Sequence, residues 1–226
     1  MKVIVSDFDE TFYDANFVDN INLVNKWQKS GNNFVIATGR GLHSLRNIID
    51  NYSIKADYYI CNDGAVIYDK DYNEIYRKNM DNNVSKEIFD YMLTTNYFEQ
   101  VFIDNSDYVT QISTADCNCL VGIIIDRSKA QEVLNIILNK YKSVQGYLST
   151  HCLNIIDINV DKSIAIKMIM NKNDWNDKDV YTVGDAINDK KMLEDFNGFL
   201  IGEKYNNPKL RKKESFKEVF GLINLL

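Results

Sequence analysis

The chain has one proline, Pro208, and ten scattered glycines in 226 residues, so no Pro/Gly/Ser-rich linker marks a domain boundary. It also lacks long apolar runs. None approaches the ~18 residues of a membrane span, and acidic residues at Asp7 and Asp9 come too early for a signal peptide. No membrane partner is expected. Basic residues are in deficit: 26 Lys and Arg against 32 Asp and Glu give a net charge of −6, which argues against nucleic-acid binding through a cationic surface. The one basic run, KLRKK at 209–213, has acidic flanks and reads as a solvated helix face. Cysteines occur only at 61, 117, 119 and 152, without zinc or disulfide spacing. They read as free thiols in a reducing cytoplasm, the alternative being a metal shared by Cys117, Cys119, His151 and Cys152. Nucleotide-cradling GxxxxGKS/T and GxGxxG runs are missing, as are internal repeats.

What is present is an ordinary globular composition, 45% hydrophobic and 26% charged. The first third alternates short apolar runs with amphipathic stretches. Strands are predicted at 2–6, 34–37 and 58–61, and helices at 19–30 and around Leu42, Leu45 and Ile49. Near-continuous apolar strands joined by helices imply a parallel sheet covered on both faces. After Gly64 the rhythm changes. A hairpin at 65–69 and 74–77 is followed by a helix at 85–95, strands at 100–104, 108–112 and 119–125, a helix at 128–141, and strands at 144–149 and 153–160. The α/β alternation then resumes with helix 161–171, strand 180–183, helix 187–196, strand 199–201 and a terminal helix at 215–226. The predicted architecture is a doubly wound, Rossmann-like α/β core of residues 1–80 and 158–226, interrupted by an α+β insert of residues 81–157.

In an open parallel sheet, ligands gather beyond the carboxyl ends of the strands. Polar clusters stand at those ends: DFDET (7–11), ATGR (37–40), CNDGA (61–65) and GDAINDKKM (184–192). Asp7 and Asp9, two residues apart at a strand end, can converge on one region. Two close carboxylates repel unless a cation joins them, and Mg²⁺ accepts such carboxylates together with phosphate oxygen and water. Asp185 and Asp189 supply further acidic groups, although Asp185 alone could equally be a helix cap. Thr38 and Gly39 precede a helix, where a hydroxyl and backbone N–H groups make an anion seat. Lys162 could neutralise a phosphoryl oxygen, the alternative for a single lysine being simple surface exposure.

These residues, in this order, resemble the motifs of the haloacid dehalogenase superfamily of phosphatases. The chain is most similar to the Cof-type branch, whose motifs read DxDGT, TGR, NGA, KxxAL and GDxxNDxxML. The resemblance spans about 1–80 and 160–205. It implies that Asp7 attacks phosphorus and that Asp9 serves as acid to the leaving oxygen and then as base to water. It further implies that Asp7, the Phe8 carbonyl, Asp9 and Asp185 hold Mg²⁺ with Asp189 in support, and that Thr38, Gly39, Lys162 and Asn188 hold the phosphoryl group. Three departures stand out. Glu10 replaces the usual Gly, Asp63 replaces Asn before Gly64, and LIGEKYNN (200–207) lacks the small-residue MGNA ending. The insert resembles an αββ-repeat cap, which closes over the site and reads the substrate. Tyr91, Tyr97, Tyr108 and Tyr147 are candidates to line it, with packing as the alternative for each.

The expected activity is Mg²⁺-dependent hydrolysis of a small phosphorylated metabolite, such as a sugar phosphate, through an aspartyl-phosphate. Phosphotransfer to a sugar hydroxyl is a second reading, and a non-catalytic phosphometabolite sensor a third. The sensor needs neither a nucleophile nor an acid. No feature of the sequence fixes an oligomeric state.

Overall fold

The structure is a computed structural model that describes residues 1–204 and 207–225. Tyr205 and Asn206, part of the 200–207 departure, and Leu226, the end of the predicted terminal helix, lie outside the described residues. The chain runs β1 (Val3–Ser6), α1 (Phe17–Lys29), β2 (Asn33–Ala37), α2 (Leu42–Tyr52), β3 (Tyr58–Cys61), β4 (Val66–Asp69) and β5 (Glu74–Arg77). It continues through α3 (Asn82–Thr94), β6 (Phe98–Asp104), β7 (Val109–Thr110), β8 (Cys119–Ile124), α4 (Arg127–Lys140), β9 (Val144–Leu148) and β10 (Cys152–Asp157). It ends with α5 (Lys162–Asn173), β11 (Val180–Gly184), α6 (Lys190–Asp195), β12 (Asn197–Ile201), β13 (Arg211–Lys213) and α7 (Phe216–Leu225).

Two sheets result. The larger has the order β13-β12-β11-β1-β2-β3-β4-β5, parallel from β13 to β3 and antiparallel at the β4–β5 hairpin. Its strands alternate between two cores, as a doubly covered sheet requires. Val3 and Val5 face α5 and α6, packing with Ile166, Ile169 and Leu193. Ile4, Phe34 and Ile36 face α1, α2 and α7, packing with Trp27, Leu45 and Phe220. Phe12 anchors the second core, with edge-on contacts to Phe17 at 5.6 Å and Phe216 at 5.2 Å. Each such pair adds about 0.5–1.5 kcal/mol beyond burial.

The second sheet, β7-β6-β8-β10-β9, is antiparallel throughout its described pairings. One face is sealed by α3 and α4 through Ile88, Met92, Val133 and Ile137. Helices α3 and α4 start where Asp81 and Asp126 accept hydrogen bonds from first-turn N–H groups. The other face, carrying Phe102, Ile123, Cys152 and Asn154, looks across a cleft at the ends of the large sheet. Residue Ser106 ties the two together: its hydroxyl accepts from Leu42 N at 3.1 Å and its carbonyl from His43 N at 2.9 Å.

The basic run is a correction. Residues Arg211–Lys213 form an edge strand parallel to β12, not a helix face. Backbone pairing fixes the segment, and its charges are absorbed locally: Arg211 lies over the Phe199 ring, Lys212 meets Glu203 and Lys213 meets Glu218. The strand predicted at 108–112 shrinks to two residues. Among the described residues no helix is long and apolar enough to cross a membrane.

Candidate active site

Strand β1 is the switch point of the large sheet, with β2 and β3 leading one way and β11 and β12 the other. Its carboxyl end, and those of its neighbours, therefore open into one crevice. Asp7 follows β1 and is pinned by donation from its N–H to the Val183 carbonyl at 2.8 Å. Thr38 follows β2 and donates its N–H to the Ile60 carbonyl, also at 2.8 Å. Asp185 follows β11, and Lys162 opens α5, which crosses behind the sheet ends.

Lys162 is buried, and its ammonium donates to Asp7 Oδ1 at 2.5 Å and to Asp189 Oδ1 at 2.7 Å. Burial opposes the Lys162 charge, but Asp189, Asp7 and Asp63 outweigh it and raise its pKa above that of an ordinary lysine. Asp7 shifts the other way from a simple ion pair. Burial first, then the charges of Asp189 and Asp185, raise it well above the usual carboxylate range despite Lys162. The cause is crowding: Asp7, Asp185 and Asp189 bring carboxylate oxygens within 4.8 Å of one another, and Lys162 is the one buried ammonium among them, Lys204 reaching Asp185 from the solvent side. Asp185 Oδ1 accepts from the Thr11 hydroxyl at 2.8 Å, whereas its buried Oδ2 meets only the ammonium of Lys204 among the described residues. Three buried carboxylates this close, with two ammonium groups between them, fit a hard divalent cation.

The neighbouring loops are shaped for this assembly. Asp189 Oδ2 accepts from Asp185 N and Ala186 N, each at 3.0 Å, so Asp189 orders the loop that presents Asp185. This settles the helix-cap alternative, because the capping carboxylate is that of Asp189. Gly184 admits no side chain, since a Cβ would lie 2.5 Å from Asp189 Cγ. Gly64 has φ of +107°, and a Cβ there would lie 2.4 Å from the Asp161 carbonyl oxygen. That close approach brings the turn after β3 against the start of α5, where Lys162 stands.

Several predicted residues meet, and one does not behave as expected. Asp7, Asp9, Thr38, Gly39, Asp185 and Asn188 line one cleft of about 400 Å³. Asp9, however, turns away from the acid cluster: Arg40 donates to it through Nε and Nη2, both at 2.7 Å. The guanidinium thus engages both oxygens of that carboxylate in a bidentate pair. The Phe8 carbonyl already accepts from Tyr13 N at 2.7 Å, which leaves it one lone pair. Among the described residues no N–H donates to the Asp9 carbonyl, one residue on. The predicted anion seat narrows as well, since Ser106 occupies the first N–H groups of α2. The Thr38 hydroxyl and the Gly39 backbone remain, with Gly39 approached closely by Tyr147 and Asp63.

Residues without a predicted role complete the site. Arg40 stands in the quoted ATGR run, and Thr11 in DFDET, but nothing in the spacing gives their partners. Asp63 accepts from Tyr147 of the second sheet at 2.5 Å and from Asn188 at 2.9 Å, so this departure bridges the two sides of the cleft. Of the four candidate tyrosines, Tyr147 lines the cleft, Tyr91 and Tyr97 pack on the α3–α4 core, and Tyr108 is exposed. The cysteine–histidine alternative fails: Cys117 is buried against Met80, and the acid triad is the only His/Cys/Asp/Glu cluster among the described residues that could hold a metal.

A doubly wound sheet with buried acids and one lysine at its switch point, facing an inserted antiparallel layer, defines a class of hydrolase. The chain belongs to the haloacid dehalogenase-like hydrolases, whose family model matches residues 4–117 and 96–210. A Buchnera aphidicola (subsp. Baizongia pistaciae) protein, named provisionally as a phosphatase, is 27% identical over 85% of this chain and 82% of its own length. The 5-amino-6-(5-phospho-D-ribitylamino)uracil phosphatase YwtE of Bacillus subtilis is 30% identical over 46% of this chain and 37% of its own length. The fold is shared with a haloacid dehalogenase-like hydrolase of B. subtilis, at a TM-score of 0.83 and 18% identity over the full length of both chains. Phosphoric monoester hydrolysis is the class of activity to which the family and its named relatives point.

Proposed function

We propose that the protein is a Mg²⁺-dependent phosphatase of a small polar metabolite and works through an aspartyl-phosphate on Asp7. The observation that carries this reading is the buried Lys162 ammonium on Asp7 Oδ1, inside an acid cluster at the sheet's switch point. Asp7 and Asp185 would hold Mg²⁺, with the Asp9 carbonyl in the place first assigned to Phe8. When bound, the ion neutralises charge on the phosphoryl oxygens and on the attacking carboxylate.

Asp7 Oδ1 is committed to Lys162, and no donor among the described residues engages Oδ2, which leaves Oδ2 to attack phosphorus. The bond from phosphorus to the leaving oxygen breaks, and Asp9 delivers a proton to that oxygen. In the second half, water attacks the aspartyl-phosphate while Asp9 takes its proton, releasing inorganic phosphate and restoring Asp7. Two easier displacements replace one difficult step. Arg40 engages both oxygens of Asp9 in this structure, so the pair must release one of them for Asp9 to carry the proton, while Lys162, Thr38, Gly39 and Asn188 would hold the transferring group.

Residues 81–157 serve as the cap in this reading, over a catalytic core of residues 1–80 and 158–226. The cap side of the 400 Å³ cleft carries Tyr147, Ser149, Thr150, His151 and Asn154. Such polar walls suit a hydroxyl-rich leaving group, and the ribityl phosphate in the name of YwtE is of that kind. The test is a panel of phosphorylated metabolites assayed with Mg²⁺ for the wild-type protein and Asp7→Asn. Loss of turnover in a folded Asp7→Asn, with a phosphate adduct trapped on Asp7 of the wild type, is expected. Full activity in Asp7→Asn overturns the mechanism.

A further inference from the structure

Two of the departures from the family pattern meet in space. Glu10, in the turn after Asp9, has φ of +60°, a conformation that favours the usual glycine. Lys204 follows β12, in the segment that lacks the small-residue ending. Its ammonium lies 2.9 Å from Glu10 Oε2 and also forms an ion pair with Asp185 Oδ2. Among the described residues that ammonium is the one partner of Asp185 Oδ2, while Oδ1 is held by Thr11. The lysine side chain is 41% exposed while that of Asp185 is 5% exposed, so a solvent-side cation reaches a buried carboxylate.

We propose that Lys204 is a tethered cation that competes with the divalent ion for Asp185 Oδ2, and that Glu10 is the second seat to which it retires. This inference rests on the Mg²⁺ reading of the site. An ammonium is a compact point charge on a flexible stem, able to pass between two carboxylates without backbone motion. It cannot share one carboxylate oxygen with a divalent cation without strong repulsion. Lys204 therefore weakens metal binding, and Glu10 offsets that cost by accepting the displaced ammonium. The pair sets the metal concentration at which the site fills, and the glycine and small residue usual at these positions leave no such device.

The experiment is calorimetric titration of Mg²⁺ into protein stripped with EDTA and dialysed, with the thermal midpoint followed in parallel. Lys204→Met should lower the Mg²⁺ Kd by about three- to tenfold, the span of a partly exposed ion pair. Glu10→Gln should raise it, and should do so less in the Lys204→Met background, where no ammonium needs a seat. Lys191→Met, which removes a nearby exposed lysine paired with Asp161, should leave Kd within about twofold, as befits a solvent-screened charge. An unchanged or weaker affinity in Lys204→Met, or an equal gain in Lys191→Met, overturns the proposal. Absence of Mg²⁺ binding in every variant sinks the metal reading itself and this inference with it, whereas equal binding in wild type and Lys204→Met sinks this inference alone.

Discussion

Replacing Lys162 by methionine keeps the length and bulk of the side chain but removes the cation between Asp7 and Asp189. The lysine side chain is 0% exposed and Asp189 likewise, so water cannot take over the lost contacts. Breaking a buried pair by removing one partner costs about 3–5 kcal/mol, because the remaining charge is left uncompensated. For a chain of this size one kcal/mol moves the midpoint by roughly 2–4 °C, so Lys162→Met should melt about 6–20 °C below wild type. Calorimetry in EDTA at neutral pH measures this without interference from metal. The deficit should shrink as pH falls, since burial and the Asp189 charge already favour protonated Asp7 and the loss of Lys162 strengthens that preference. Adding Asp7→Asn to Lys162→Met removes one of the stranded carboxylates and should restore part of the loss, with a coupling of about 0.5–3 kcal/mol. A Lys162→Met midpoint within about 2 °C of wild type, or a double variant no more stable than Lys162→Met, would show that Lys162 does not compensate buried charge.

Two further outcomes follow from the scaffold. Burial raises Asp104 above the ordinary carboxylate range, so its contribution is full below the unfolded pKa of about 3.9 and is lost as pH rises through the folded value. Asp104→Asn, which keeps an acceptor for Ser106 N, should therefore gain on wild type in midpoint as pH is raised from about 4 toward neutrality, and a flat or falling difference contradicts it. Gly64→Ala should cost at least ~1–3 kcal/mol in denaturant unfolding through its glycine-only backbone angle, and should lower kcat by displacing the start of α5; unchanged stability and kcat would show that the approach of Gly64 to Asp161 is not needed.

The doubly wound core was legible because its signals are local. Runs such as VIVS and FVIA carry β-branched or apolar residues at every position but Ser6, and every member except Ser6 lies in a core cluster. Strand ends could be read for the same reason, since DFDET and GDAIND interrupt apolar runs with acids. The basic run failed because its fate depends on β12, an edge that only the folded sheet supplies. The choice between the Phe8 and Asp9 carbonyls lies on a finer scale. Which backbone oxygen a turn leaves free depends on whether Tyr13 N reaches back to residue 8 or 9, and residue types do not encode that choice.

The same limit explains why the departures were visible as differences but silent as chemistry. Glu10 in isolation is one more negative charge beside a phosphate site, a feature that should oppose catalysis. Lys204 in isolation is a surface lysine 194 positions away. Only their meeting at Asp185 turns two unfavourable substitutions into one neutral pair, and the pair has a consequence that neither residue has alone. Asp63 follows the same logic. A carboxylate in place of the usual amide adds charge to a buried turn, yet it accepts from both Tyr147 and Asn188, so the added charge is hydrogen-bonded from the two sides of the cleft. Each departure is thus matched by a second residue far along the chain. A single reversion, Glu10→Gly or Asp63→Asn, is therefore expected to leave its partner stranded instead of restoring the family's site, and the metal and substrate equilibria of this protein belong to the pairs.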